Sequence, residues 1–230
     1  MTWPVLIGKA RPQPAAGEYT DWKADIAAVC DHRCIYCSLH ESENGGVGNF
    51  HIDHLRPKSV FAHLRDIISN LYLSCAICNR FKSDDWPAEP AADLSVATYI
   101  DPAATDYNAT LSVDDKTYRV SANSVAGRYT VERLYLNRPQ MIRNWRARFL
   151  ARRVSEMEDF ASLALETARN AGSKELTEAA LQLAAETIQV ARAFRCAGEL
   201  PPYSYGETSR PHRMPKRPVK RAGLKRSKKR

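Results

Sequence analysis

Two Cys-x-x-Cys pairs, Cys34 with Cys37 and Cys75 with Cys78, bracket the run Phe50-His51-Ile52-Asp53-His54, and Asn79 follows the second pair directly. Four thiolates suit tetrahedral zinc, and a site closed by four cysteines is structural rather than catalytic. Each pair brings two sulfurs to one side of a tight turn, and the second pair arrives from a distant part of the chain. Two unrelated thiol pairs, or a redox pair, are the alternatives. A redox Cys-x-x-Cys sits beside a βαβ pattern, which this region lacks. Between the pairs lie a carboxylate and an imidazole, with the Asn79 amide after them. Asp and Asn oxygens are hard ligands for Mg²⁺, or Mn²⁺, which binds phosphate oxygens while keeping several waters. A neutral imidazole is a fitting general base near neutral pH. The set suits metal-assisted phosphodiester hydrolysis, with His54 taking a proton from water and the metal on Asp53 and Asn79 polarising the phosphate.

That chemistry needs a strand and a helix held together. Phe50 and Ile52 alternate with His51 and Asp53, which is strand periodicity, and Pro57 stops the strand. His51 and Asp53 are thereby expected on one face, with His54 at the exit; His51 is an auxiliary candidate that either faces the metal or orients Asp53. Cys75, Cys78, Asn79 and Lys82 fall at i, i+3, i+4 and i+7 and so share one face of a short helix. A zinc ion would pin that helix against the strand. Arg56 and Lys58, just past the strand, and Lys82, one turn beyond Asn79, are candidates to hold flanking phosphates of a nucleic acid. The alternatives are plain surface charge for the first two and a lysine complementing the helix dipole for the third.

These residues resemble the HNH endonuclease family in its zinc-bearing ββα-metal form. The resemblance is carried by Ile52-Asp53-His54, Asn70-Leu71, and Cys75-x-x-Cys78-Asn79-x-x-Lys82. It implies His54 as general base, Asn70 as a brace of the intervening loop through backbone hydrogen bonds, Asn79 and Asp53 as metal ligands, and the four cysteines as the zinc site. It also implies DNA as substrate, with a 5′-phosphate and a 3′-hydroxyl as products. A wider set, Asp53-His54-Leu55-Arg56-Pro57-Lys58-Ser59, Ile100-Asp101-Pro102 and Leu136-Asn137-Arg138-Pro139, is similar to the HNH nuclease subunits of Septu-type bacterial anti-phage defence systems, which implies an ATPase partner. No phosphate-binding loop of the Walker type and no Gly-x-Gly-x-x-Gly occurs in this chain, so a partner would have to supply ATP hydrolysis.

Composition narrows the setting. The 44% hydrophobic content of 230 residues is that of an ordinary globular protein. No run of 18 apolar residues marks a membrane span, and the first dozen residues lack a signal-peptide core. A cytoplasmic, reducing compartment is the expectation, which favours metal over disulfides for the cysteines. Cys30 and Cys196 read as buried thiols. The net charge of +8 is unevenly spread: residues 210–230 hold 11 of the 34 basic residues and none of the 26 acidic ones, leaving 23 against 26, or −3, in the remainder. A basic, disordered tail over 201–230 would attract nucleic acid without reading its sequence.

The remaining patterns set the architecture as α+β. Residues 1–19 read as irregular, with Trp3, Val5 and Ile7 available to pack. The nuclease domain is expected over 20–137, with a helix near 20–32 capped by Thr20 or Asp21, a polar loop over 41–48, a helix over 60–68, a loop wrapping the core over 86–108, strands over 109–113 and 117–121, a turn at Gly127 and a helix from Thr130 to Leu136. An antiparallel helical hairpin over 138–200 opens at Pro139 and breaks near Gly172. Met141, Trp145, Phe149, Val154, Met157, Ala161, Leu165 and Ala168 recur at helical spacing in its first helix, with Leu176, Leu183, Ile188, Val190 and Phe194 along its second. Arginines 143, 146, 148, 152 and 153 form either a solvated face or a nucleic-acid-facing ridge. A non-catalytic, zinc-organised nucleic-acid-binding module is the alternative function; the joint presence of Asp53, His54, Asn70 and Asn79 weighs against it.

Overall fold

The computed structural model of the chain describes residues 3–90 and 93–197, the side chains of 194–197 excepted. The side chains of Phe194 and Cys196, the last residues of the expected hairpin (198–200) and the basic tail therefore lie outside the described residues. The described part belongs to one unit, Met1–Leu200.

Strand β1, Phe50–His54, pairs antiparallel with β2, Leu71–Cys75, in a register that sets Phe50 opposite Cys75, Asp53 opposite Tyr72 and His54 opposite Leu71. Every residue of β2 is buried, so it lacks the polar alternation that marks β1. Helix α2, Ala76–Lys82, follows without a linker, and the Cys75 Sγ accepts the Cys78 amide at its N-cap. This is a ββα unit within an α+β chain. The first Cys-x-x-Cys turn is joined to it through the backbone, Ile35 N donating to Leu73 O at 2.9 Å.

The connection between β1 and β2 corrects the helix expected over 60–68. It contains only two short 3-10 turns, Ala62–Leu64 and Ile68–Asn70. An α-helix needs its own carbonyls as acceptors, and here they are taken by distant side chains. Asn70 Nδ2 bonds Leu64 O, His54 Nε2 bonds Arg65 O, Gln13 Nε2 bonds Asp66 O, and Arg11 bonds Ile68 O.

Helix α1, Lys23–Val29, is shorter than expected and begins without a side-chain cap; Asp21 instead accepts the Glu18 amide. Asp31 and His32, both at positive φ, then reverse the chain into the first zinc turn. Trp3 is buried and donates from its indole to Tyr36 O, while its ring packs 5.1 Å from Trp145. Val5 and Ile7 stay exposed.

After α2, a short helix α3, Tyr107–Thr110, precedes the hairpin of β3, Leu111–Val113, and β4, Val120–Ala122. Helix α4, Val125–Arg133, starts earlier than expected, capped by Ser124, whose Oγ accepts the Gly127 amide at 3.0 Å. Thr130 is instead fully buried and accepts the Ile100 amide. Gly127 lies inside α4 rather than at a turn: a Cβ there would come 2.7 Å from the Ala122 Cβ. Helices α5, Pro139–Ala171, and α6, Lys174–Ala197, form the antiparallel hairpin, with Pro139 in the first turn and Gly172 in the left-handed cap. Their shared face is built of small residues, Ala161, Ala168, Ala180 and Ala191. Leu176 and Ile188, expected on that face, are exposed. No helix among the described residues is long and apolar enough to cross a membrane.

Candidate active site

The four cysteines converge. Their sulfurs all lie within 4.8 Å of one another and every one is buried. Tetrahedral zinc with Zn–S of about 2.3 Å separates its sulfurs by about 3.8 Å, and Cys37 Sγ and Cys75 Sγ are 3.8 Å apart. The cluster fits structural zinc. A buried cation, Arg138, faces it: the guanidinium Nη2 donates to Cys78 Sγ at 3.6 Å, and Nη1 reaches the carbonyls of Leu134 and Tyr135. Burial alone would lower the Arg138 pKa, but the sulfurs raise it above the ordinary value.

One layer away, the end of β1 carries the ionisable groups. Asp53 is buried; its Oδ2 accepts the Tyr36 hydroxyl at 2.5 Å and lies 3.4 Å from the Lys82 ammonium. Burial raises the Asp53 pKa, with Lys82 and the Tyr36 hydroxyl acting in the opposite direction. Burial, and then Asp53 itself, push Tyr36 far above its usual value, so its proton is retained for donation. Lys82 is fully buried and also donates to His54 O at 2.7 Å. This corrects the expectation that Lys82 contacts a phosphate. The last turn of α2 points its lysine into the strand, because a buried carboxylate and a strand carbonyl there need a donor.

His54 is 7% exposed, and its Nε2 lies 2.8 Å from Arg65 O. A carbonyl accepts only, so Nε2 carries the proton and Nδ1 keeps its lone pair. Burial lowers the His54 pKa below the usual 6.5, the Arg65 carbonyl acting against it. Asn70, buried, closes a ring on the exit loop: Arg56 N donates to its Oδ1 at 2.8 Å and its Nδ2 donates to Arg56 O at 3.0 Å. Asn79 is half-buried, and its side chain makes no hydrogen bond among the described residues. His51, expected on one face with Asp53, is exposed, because Tyr36 and Lys82 meet β1 at its far end.

Of the other two expected phosphate contacts, Arg56 is ion-paired with Glu89 at 2.8 Å and lies over the Trp86 ring. Lys58 is exposed and bonds the Tyr19 hydroxyl. On α5, Arg148 is committed to Glu43 and Ser38 O, and Arg152 to Glu156.

Tyr36, Tyr19 and Asp85 carry no sequence signal for the site, and Arg138 carries none for its contact with the sulfurs. Tyr36 sits inside the first Cys-x-x-Cys, where a cysteine spacing draws attention away from what lies between. Asp85 reads as a helix-ending residue, yet its Oδ2 accepts from Tyr99, Tyr129 and Arg133 and ties the end of the ββα unit to α4. Arg138 was visible only as part of a longer resemblance.

Residues 34–85 match the family model described as HNH endonuclease. This segment is an HNH endonuclease domain. It spans both zinc pairs, β1, β2 and α2, and ends at Asp85. Searches of curated proteins and of solved structures find no match to the chain. The HNH domain supports nuclease activity in general terms, and its cysteine cluster is consistent with the zinc-bearing kind.

Proposed function

We propose that the chain is a metal-dependent endonuclease that hydrolyses DNA phosphodiester bonds, with His54 as general base. The observation that carries this reading is the His54 tautomer. With Nε2 donating to Arg65 O, Nδ1 is the basic atom, and a buried imidazole of lowered pKa is neutral where it has to accept a proton. Asn70 holds the loop that carries Arg56, and the two strands hold His54 at the sheet's end.

Asp53 and Asn79 would be the donors for Mg²⁺ or Mn²⁺. Their chemistry fits: one carboxylate and one amide oxygen, and Mg²⁺ binds through one or two such protein groups while keeping waters. When bound, the ion supplies charge at the phosphate and leaving oxygen. Lys82 opposes the burial that raises the Asp53 pKa and ties α2, with Asn79, to β1, with His54. His54 removes a proton from the attacking water at Nδ1.

The test is plasmid cleavage with and without Mg²⁺, comparing wild type with His54→Ala at equal zinc content. Loss of cutting in His54→Ala supports the assignment; undiminished nicking removes His54 from the mechanism. A second reading, a zinc-organised nucleic-acid-binding module without catalysis, is favoured by one observation: the Asp53 charge is already matched by Lys82. Binding without any Mg²⁺-dependent cutting would decide for it. A role in bacterial anti-phage defence or restriction beside an ATPase partner belongs to the same proposal. It is supported by the wider sequence resemblance and by exposed Phe160, Leu163, Leu181 and Ile188 on the helical hairpin. Co-purification with an ATPase supports it, and full activity of the isolated chain counts against a requirement for one.

A further inference from the structure

The segment before α1 lies outside the HNH match, yet it runs to the catalytic end of the sheet. Arg11 and Gln13 bond the loop between β1 and β2, at Ile68, Ser69 and Asp66. The Tyr19 amide then donates to Asp66 Oδ1 at 3.0 Å. That contact sets the Tyr19 ring edge-on to the His54 imidazole, with centroids 4.8 Å apart. Two cations lie against the same ring, Lys58 at 4.7 Å and Arg65 at 5.5 Å. Their charges differ in availability. Arg65 is matched by Glu18 at 2.5 Å and by Asp66 at 3.7 Å. Lys58 has no carboxylate partner among the described residues, and its ammonium donates to the Tyr19 hydroxyl at 2.8 Å.

We propose that Tyr19 and Lys58 form a seat for a backbone phosphate of the nucleic acid beside His54, with Tyr19 also a positioning residue for the imidazole. Lys58 is exposed and Tyr19 half-buried. Lys58 uses one of its three N–H groups on the Tyr19 oxygen, which leaves two N–H donors and the phenolic O–H for an anion. Lysine and tyrosine are ordinary donors to phosphate oxygens. The acceptor is a phosphodiester rather than a base edge, since all the offered groups are donors around one positive charge. This deepens the nuclease reading and rests on it for the role of His54 as general base.

The experiment uses the full chain as wild type, Tyr19→Phe, Tyr19→Ala, Lys58→Gln and the Tyr19→Phe/Lys58→Gln double. Binding of a labelled 20-base-pair duplex is read by anisotropy in Mg²⁺-free buffer, and kcat and KM are read separately with Mg²⁺. A lost hydrogen bond to a charged group implies ~10–100-fold weaker binding for Tyr19→Phe and for Lys58→Gln. The double should be little worse than Lys58→Gln alone, because both residues serve one phosphate. Tyr19→Phe keeps the ring on His54, so its kcat stays near wild type while KM rises. Tyr19→Ala lowers kcat as well, and phenylalanine rescues that loss. Wild-type binding in both single variants, or fully multiplicative losses in the double, would overturn the seat. Unchanged kcat in Tyr19→Ala would overturn the positioning role. Binding is measured without catalysis, so a wild type that never cuts would remove the nuclease reading and leave the seat on trial.

Discussion

An imidazole whose Nε2 proton is given to a carbonyl is a base at one atom only, and His54 is in that state. Its lowered pKa has a direct consequence. Below the folded pKa the ring is protonated and cannot accept; above it the base is ready. The acid limb of the cleavage rate should therefore fall below pH 6.5, and a pH–rate profile with an inflection above that value would count against His54 as base. Asp53 and Lys82 make a second case. Their side chains are 5% and 0% exposed, so removing the cation leaves a buried, uncompensated carboxylate. Lys82→Met should cost about 3–5 kcal/mol, measured by urea unfolding. The sign with pH follows from Asp53, already raised by burial: the native state holds the proton more tightly, so the loss shrinks as pH falls through that raised pKa. Asp53→Asn in the same background should recover much of the loss.

Helix α2 has only seven residues, too few to be stable alone in water, so it depends on what holds its ends. Zinc on the cysteine sulfurs would fix its first turn, and Lys82 holds its last. Arg138, in turn, links the start of α5 to the sulfur cluster, where a tetrathiolate zinc site carries net negative charge. Arg138→Met should therefore speed zinc loss to a colorimetric chelator at unchanged cysteine count; zinc release at the wild-type rate would show the contact to be incidental. Close packing decides another position. Gly→Ala inside a helix ordinarily stabilises by ~0.4–1 kcal/mol, but at Gly127 the new methyl meets Ala122 at 2.7 Å. Gly127→Ala should instead destabilise, by ~1–3 kcal/mol, as a lower midpoint in thermal unfolding.

Charge is distributed so that residues 1–209 are close to neutral while 210–230 are wholly basic among their ionised side chains. Within the described residues many of the arginines near the domain are spent internally, on Glu89, Glu43, Asp85 or the cysteine sulfurs. Non-specific affinity for nucleic acid should then depend heavily on the C-terminal stretch. Deleting 210–230 should weaken duplex binding and flatten its dependence on salt, since each phosphate contact contributes about −0.9 to the log–log slope, while kcat stays unchanged. A salt slope identical to the full chain would place the contacts in the folded body.

The four cysteines, the β1 strand and the helical hairpin were legible because each follows from residue type and short-range spacing, whereas the ββα order was only what the family resemblance implied and β2, buried throughout, carries no alternation. Metal-ligand spacing, strand alternation at 50–54 and helical recurrence after Pro139 are local properties. Two local signals failed for a common reason. The 60–68 stretch has helical apolar spacing, but its carbonyls are taken by Arg11, Gln13, His54 and Asn70, which the spacing cannot see. Gly127 looks like a turn until the neighbouring strand fills the space at its Cα. The destinations of the charged groups were not readable at all. Lys82 meets His54 across 28 residues, Arg56 meets Glu89 across 33, Arg148 meets Glu43 across 105 and Arg138 meets Cys78 across 60. Helical spacing says which residues share a face, but not what covers that face; whether a lysine ends in solvent or on a buried carboxylate depends on which distant segment packs over it.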